Sequence, residues 1–158
     1  MKGMEEYLNV REVNLSCNQI EKIEGVSQLA GLVSLDLSSN RLTRVEGLQN
    51  NKHLATLSLA QNRITTFSNL SFNLQLQTLD ISGNRATHQD HLRCLFSLKN
   101  LTHLTIHHSP SQTNPLVTHA YPHLLQSLKQ KCHSLDTLDS QHIHDYHLQL
   151  PSNDNLPP

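Results

Sequence analysis

The side chains best suited to metal or nucleophilic chemistry in this 158-residue chain are twelve histidines and three cysteines. Eleven of the histidines fall between positions 88 and 147, and they include His107-His108 and the run His142-x-His144-x-x-His147. That run has the outline of a metal-ligand cluster, but Asp stands at 145 and Tyr146 occupies the position where such a run needs Asp. Histidine enrichment of a surface is the simpler reading, with adventitious zinc or nickel binding as its rival. Several imidazoles titrating together near neutrality would make the C-terminal half pH-sensitive. The cysteines Cys17, Cys94 and Cys132 are odd in number and lack metal-ligand spacing, so they read as buried free thiols in a reducing compartment. No Ser or Cys is set against a His–acid pair by a recognisable pattern. The expectation is therefore no catalytic residue, no metal site, no cofactor and no small-molecule substrate.

A second kind of chemistry, the capping of backbone groups by amides, is spaced with strict regularity. Asn18, Asn40, Asn62 and Asn84 are each 22 residues apart. On that period six apolar columns align. Three precede the Asn: Val10/Leu32/Leu54/Leu76, Val13/Leu35/Leu57/Leu79 and Leu15/Leu37/Leu59/Ile81. Three follow it: Ile20/Leu42/Ile64/Ala86, Ile23/Val45/Phe67/Gln89 and Val26/Leu48/Leu70/Leu92. Of these 24 slots 22 hold a large apolar residue, so the repeat is the organising element of the chain.

Composition agrees. Hydrophobic residues are 36% and charged residues 16%, with a formal charge of −1. There are 29 Leu, no Trp and six aromatics, alongside 16 Ser, 14 Asn and 12 Gln. This argues against an aromatic-rich sandwich and against a nucleic-acid binder built on basic excess. No stretch approaches the ~18 consecutive apolar residues of a membrane helix. The N-terminal MKGMEEYLNV has two acidic residues and no apolar run, unlike a secretory signal. The expected location is the cytoplasm.

The pattern L-x-x-L-x-L-x-x-N resembles the leucine-rich repeat. The resemblance implies that x-L-x-L is a short strand with Leu35 and Leu37 entering the core and Ser34, Asp36 and Ser38 facing out. It also implies that the Asn residues form a structural ladder beside the strand, bonding backbone groups that regular structure leaves unmet. The runs Gln-Ile-Glu-Lys-Ile-Glu-Gly-Val (19–26) and Arg-Leu-Thr-Arg-Val-Glu-Gly-Leu (41–48) are similar to the 22-residue subfamily typified by the protein phosphatase-1 regulatory subunit. Gly25 and Gly47 are expected at a positive-φ turn, with Asn69 in the same place of the third repeat.

The fold expected is an α/β solenoid, a horseshoe segment of five leucine-rich repeats with parallel concave strands and short 3₁₀ or helical convex turns. The repeats start near 10, 32, 54, 76 and 101, and Ser109 takes the Asn slot of the last. The fourth repeat is three residues longer, and Leu92, Leu95, Phe96 and Leu98 suggest a fuller convex helix within 88–98. Asn114-Pro115-Leu116, Tyr121, Leu124-Leu125-x-x-Leu128 and Leu135-x-x-Leu138-Asp139 resemble the C-terminal cap of this subfamily, although Asn-Pro comes late and Pro122 stands where the family has Arg. The chain then divides into a lead-in at 1–9, repeats at 10–109, a cap at 110–143 and a flexible tail at 144–158. At the N-terminal end, either Tyr7 and Leu8 fold back as a minimal lid, or a partner or further sequence covers the edge of Val10, Val13 and Leu15.

Outward strand positions define the expected partner-binding face. Its columns are Glu12/Ser34/Thr56/Thr78/His103, Asn14/Asp36/Ser58/Asp80/Thr105 and Ser16/Ser38/Ala60/Ser82/His107. Five strands about 4.8 Å apart make a ribbon roughly 20 Å wide, small, polar and mildly acidic. A secondary basic row follows the Asn ladder at Arg41, Arg63 and Arg85, with Lys22 and Arg44 in a neighbouring column. The resemblance implies a non-catalytic scaffold that binds another protein, since such repeats occur in phosphatase regulators, an RNA-splicing particle subunit, and centrosomal and ciliary proteins. The late Asn-Pro favours a cytoskeletal, centrosomal or ciliary adaptor, with a phosphatase regulatory subunit or a ribonucleoprotein subunit as alternatives. Neither a membrane nor nucleic acid is an expected partner.

Overall fold

A computed structural model describes residues 9–107 and 121–143. Its strands are β1 (Glu12–Asn14), β2 (Ser34–Asp36), β3 (Thr56–Ser58), β4 (Thr78–Asp80), β5 (His103–Thr105), β6 (Thr137–Leu138) and β7 (Gln141–His142). They form one sheet in chain order, parallel from β1 to β6 and antiparallel between β6 and β7. The register advances by one repeat at each step, pairing Val13 with Leu35, Leu57, Leu79, Leu104 and Leu138 in turn. Alternation sends those central residues inward, and the Leu two positions on follows them: Leu35, Leu37, Leu57 and Leu59 are at most 1% exposed. The leucine-rich solenoid expected from the sequence is the fold observed.

On the convex side the chain returns through 3₁₀ segments at Val26–Gln28, Ser68–Phe72 and Gln89–Ser97. The last differs from the fuller helix suggested by 88–98. Leu92, Leu95 and Leu98, all buried, are spaced by three residues throughout, the period at which the side chains of a 3₁₀ helix eclipse one another. His88 caps its start, Nδ1 accepting from the Asp90 N–H at 3.3 Å. Gly25 and Gly47 do have positive φ, at 80° and 78°. Asn69 departs from the expectation: it lies within the 3₁₀ segment Ser68–Phe72, and its Nδ2 donates instead to the Val45 carbonyl at 2.7 Å. A different column holds left-handed backbone, the residue before each ladder Asn: Cys17, Ser39, Gln61 and Gly83, with φ between 54° and 63°. That turn leaves Cys17 exposed, contrary to the reading of all three cysteines as buried; Cys132 is buried and Cys94 half-buried.

The Asn amides tie each coil to the one before. Asn62 Nδ2 donates to the carbonyls of Leu37, Leu59 and Ala60 at 2.9–3.1 Å, while its Oδ1 accepts the Leu42 N–H at 2.9 Å. Asn40 and Asn84 repeat the pattern. Asn18, on the first coil, is exposed, and among the described residues it bonds only the Leu15 and Ser16 carbonyls. A second row lies on the convex side. Asn51 and Asn73 are fully buried, and their Nδ2 groups donate to the Val26 and Leu29 carbonyls and to those of Leu48 and Asn51.

The C-terminal end adds more to the sheet than the five-strand ribbon expected. Leu135-x-x-Leu138 repeats the spacing of Leu101-x-x-Leu104, and β6 occupies a sixth coil position beside β5. Asp139 and Ser140, with φ of 50° and 66°, then turn the chain back into β7. Two successive positive-φ residues are what a tight hairpin of this hand requires. The helix α1 (Tyr121–Lys131) lays Leu124, Leu125 and Leu128 over the end of the core. At the other end Val10, Val13 and Leu15 are half-buried, where their second-coil counterparts Leu32, Leu35 and Leu37 are at most 1% exposed. The Tyr7–Leu8 lid, His108, Ser109, Asn114-Pro115, His119, His144, His147 and the tail lie outside the described residues.

Candidate functional site

The register of the sheet aligns the outward side chains into the columns read from the sequence, and Thr137 of β6 extends the first of them beyond His103. Glu12, Thr56, Thr78 and His103 are exposed and Ser34 half-buried, so this column is the open edge of the concave face. In the next column Asn14 is exposed, while Asp36, Ser58, Asp80 and Thr105 are half-buried. Its acidic and amide members are held by their own turns. Asp36 Oδ1 accepts the Ser38 N–H at 2.8 Å, and Asp80 Oδ1 accepts the Ser82 N–H and Oγ–H at 2.9 and 2.7 Å. Asn14 bonds Ser16 in the same way. Each carboxylate is thus aimed before a partner arrives, which lowers the ordering cost of binding.

The third column closes inward. Ser38 is half-buried, and Ala60 and Ser82 are buried. His107 differs most from the expectation of an outward contact. Its Nδ1 lies 2.8 Å from Asp139 Oδ2, and its N–H and that of Ile106 both donate to Asp139 Oδ1, at 2.9 and 2.6 Å. The Asp139 side chain is only 4% exposed and that of His107 31%, so this contact joins the cap to the fifth coil. The L-x-x-L spacing at 135 and 138 marks Asp139 as the residue beside Thr105, in the column of Asp36 and Asp80; the sequence reading placed it in the cap pattern without that role.

Arg41, Arg63 and Arg85 sit on a different face, at the turns following Asn40, Asn62 and Asn84, and all three are exposed. They border an open groove on the flank of the coils. The described histidines do not gather into a cluster. His88 and His91 approach edge to face with centroids 6.2 Å apart, and among the described residues no three His, Cys, Asp or Glu side chains form a metal-holding group. Among the described residues no helix is long and apolar enough to cross a membrane. Burial pushes the Cys94 thiol up to about 12 and raises that of Cys132 above its ordinary value, so neither is poised as a nucleophile.

The leucine-rich repeat family pattern matches residues 2–149. This chain belongs to the leucine-rich repeat family. Leucine-rich repeat domains are modules of protein–protein interaction rather than catalysts, and the polar concave ribbon is the surface that the repeat makes available here. Among solved structures, a chain of the Drosophila melanogaster SNF/U2A′ complex is similar at 26% identity and a TM-score of 0.72, covering 84% of this chain and 74% of that one. Internalin C2 from Listeria monocytogenes shares the fold at 24% identity and a TM-score of 0.57, over 73% of this chain and 50% of its own. The functional domain of InlJ from the same organism aligns at 28% identity and a TM-score of 0.53, over 62% of this leucine-rich repeat chain and 20% of that one. No curated protein sequence matches closely enough to count as a relative.

Proposed function

We propose that this leucine-rich repeat protein is a non-catalytic adaptor that holds a protein partner on its concave strand face. One observation carries the reading. The columns from Glu12 to Thr137 and from Asn14 to Thr105 are aligned by an unbroken parallel register, with Asp36 and Asp80 already oriented by their own turns. The face offers hydroxyls and carboxylates but no Trp, Tyr or Arg in its columns, so the partner has to bring the aromatic or basic anchors. The subfamily resemblance, with its late Asn114-Pro115, supports a cytoplasmic adaptor of the cytoskeletal, centrosomal or ciliary kind.

A second reading, a resident subunit of a defined complex, is favoured by the likeness to a chain from the SNF/U2A′ complex. Proximity labelling with the tagged chain, set against a Ser34→Lys, Asp36→Lys, Ser58→Lys variant, tests the first reading. Loss of the labelled partner from the variant is the expected result; the same partner at full yield would remove the concave face from consideration. Ribonuclease treatment and co-purification of a phosphatase catalytic subunit separate a ribonucleoprotein or phosphatase assembly from an adaptor.

A further inference from the structure

The flank beside the Asn ladder carries a surface that the concave face does not use. The backbone N–H groups of Arg41, Arg63 and Arg85 donate across the coils to the Ile20, Leu42 and Ile64 carbonyls at 2.9, 2.8 and 2.8 Å. The three guanidinium groups therefore leave from anchored, stacked positions one coil apart. Among the described residues no carboxylate forms an ion pair with any of them, whereas Arg44 is engaged by Glu46 at 3.1 Å.

Two adjoining depressions run along this row, of about 580 and 420 Å³, sharing Arg44, Glu46 and Arg63 as common walls. Arg85 borders the first, and Lys22 and Arg41 the second. Both volumes fall in the range of ligand-binding clefts. Among the described residues Lys22 and the four arginines face only the carboxylates of Glu21 and Glu46, one of them already paired, so the groove is cationic within a chain whose formal charge is −1. Thr43, Thr65 and Ser68 line it with hydroxyls that donate or accept.

The row spans two coil spacings, about 10 Å, the length of roughly three residues of extended chain. Arginine forks suit carboxylates, which they grip through two parallel bonds. A nucleic-acid strand fits less well. Its affinity depends on many phosphate contacts, more than a row of about 10 Å supplies, and a chain of formal charge −1 has no overall positive field to hold the rest of a strand. We propose that this groove binds a short, extended, acidic segment of a partner protein, its carboxylates paired with Arg41, Arg63 and Arg85.

A fluorescein-labelled peptide of about eight alternating Glu and Ser residues, followed by fluorescence anisotropy, tests the assignment on the full chain, since the row spans only about three extended residues. The expected result is saturable binding that weakens between about 50 and 200 mM salt, as the screening length shortens. The triple variant Arg41→Gln, Arg63→Gln, Arg85→Gln should lose roughly tenfold in affinity, and Arg63→Gln alone about threefold, given the modest strength of each exposed pair. Glu12→Gln combined with Thr56→Ala, on the concave face, should bind the peptide like the parent. Circular dichroism melts establish that each variant is folded, and the single variant decides the matter if the triple one is not. The proposal is overturned if the parent shows no saturable binding or if the folded arginine variants bind as well as the parent. Tighter binding of a single-stranded RNA of the same charge would also overturn it, by assigning the groove to phosphates.

Discussion

Asp139 and His107, 32 positions apart in the chain, meet with Asp139 Oδ2 2.8 Å from His107 Nδ1, while the other carboxylate oxygen takes two backbone N–H groups of the fifth coil. A single nearly buried carboxylate thus fastens the cap to the solenoid. Asp139→Ala should destabilise the protein by about 2 kcal/mol, because two part-buried donors lose their acceptor. Asp139→Asn, which keeps an accepting oxygen, should cost less. Urea unfolding of the two variants measures the difference, and equal losses would show that the fastening is not through these bonds.

The Asn ladder should be graded along the chain. Asn62→Ala removes the acceptor of the Leu42 N–H and the donor to three carbonyls, all buried, and a loss of about 3 kcal/mol or more is expected. Asn18→Ala removes two exposed bonds on the first coil and should cost about 1 kcal/mol or less. Thermal melts of both variants, side by side, would reveal a flat profile if the ladder were not cumulative.

Gly47 and Gly25 share a backbone conformation but not a neighbourhood. A Cβ on Gly47 would stand 2.6 Å from the Ile23 carbonyl oxygen, whereas one on Gly25 meets nothing within 4 Å. Gly25→Ala should cost about 1–2 kcal/mol, the strain of left-handed backbone alone. Gly47→Ala should cost distinctly more, since the first and second coils must separate. Chemical denaturation that ranks them in the opposite order would disprove the argument.

The thiols should divide sharply. Cys17 is exposed and should react with iodoacetamide at pH 8, while at that pH roughly one Cys94 in ten thousand is thiolate, its value being pushed up to about 12 by desolvation. One fast modification under native conditions and three after unfolding is the expected mass-spectrometric result. The same burial has a sign for stability. The unfolded chain ionises these thiols near 9 while the folded one holds its protons, so stability is full below about pH 9 and falls as pH rises toward 12. A melting temperature that rose across that interval would contradict it.

Much of this architecture was legible in the residues because the repeat is itself the structural unit. Asn40 and Asn62 at equal spacing, flanked by Leu35/Leu37 and Leu57/Leu59, allow few arrangements other than stacked coils. What escaped detection depends on contacts between distant segments. Asp139 reads as part of a cap motif until β6 is seen beside β5. His107 reads as outward by alternation, yet a carboxylate from beyond the described helix draws it in. Asn51 and Asn73 form only a two-member row, too short to stand out among 14 asparagines. The nine-residue 3₁₀ segment is hidden because an apolar spacing of three, joined by Phe96, reads as a helical stripe. Of the candidate surfaces, the outward columns follow from strand periodicity alone, while the groove beside Arg63 needs the turns of neighbouring coils in place.

Each ladder amide reaches back one coil and no further: Asn62 to Leu37 and Leu42, Asn84 to Leu59 and Ile64. The bonding is therefore indifferent to how many coils there are. Excision of residues 41–62 would join Asn40 to Arg63 and leave Asn84 facing Leu37 where Leu59 had been, with every amide still supplied. Such a chain tolerates gain or loss only in whole units of 22 residues, and a change of any other length has to be absorbed as it is between Leu79 and Leu104, by a longer outer turn. Length here is quantised, and the quantum is one turn of the coil.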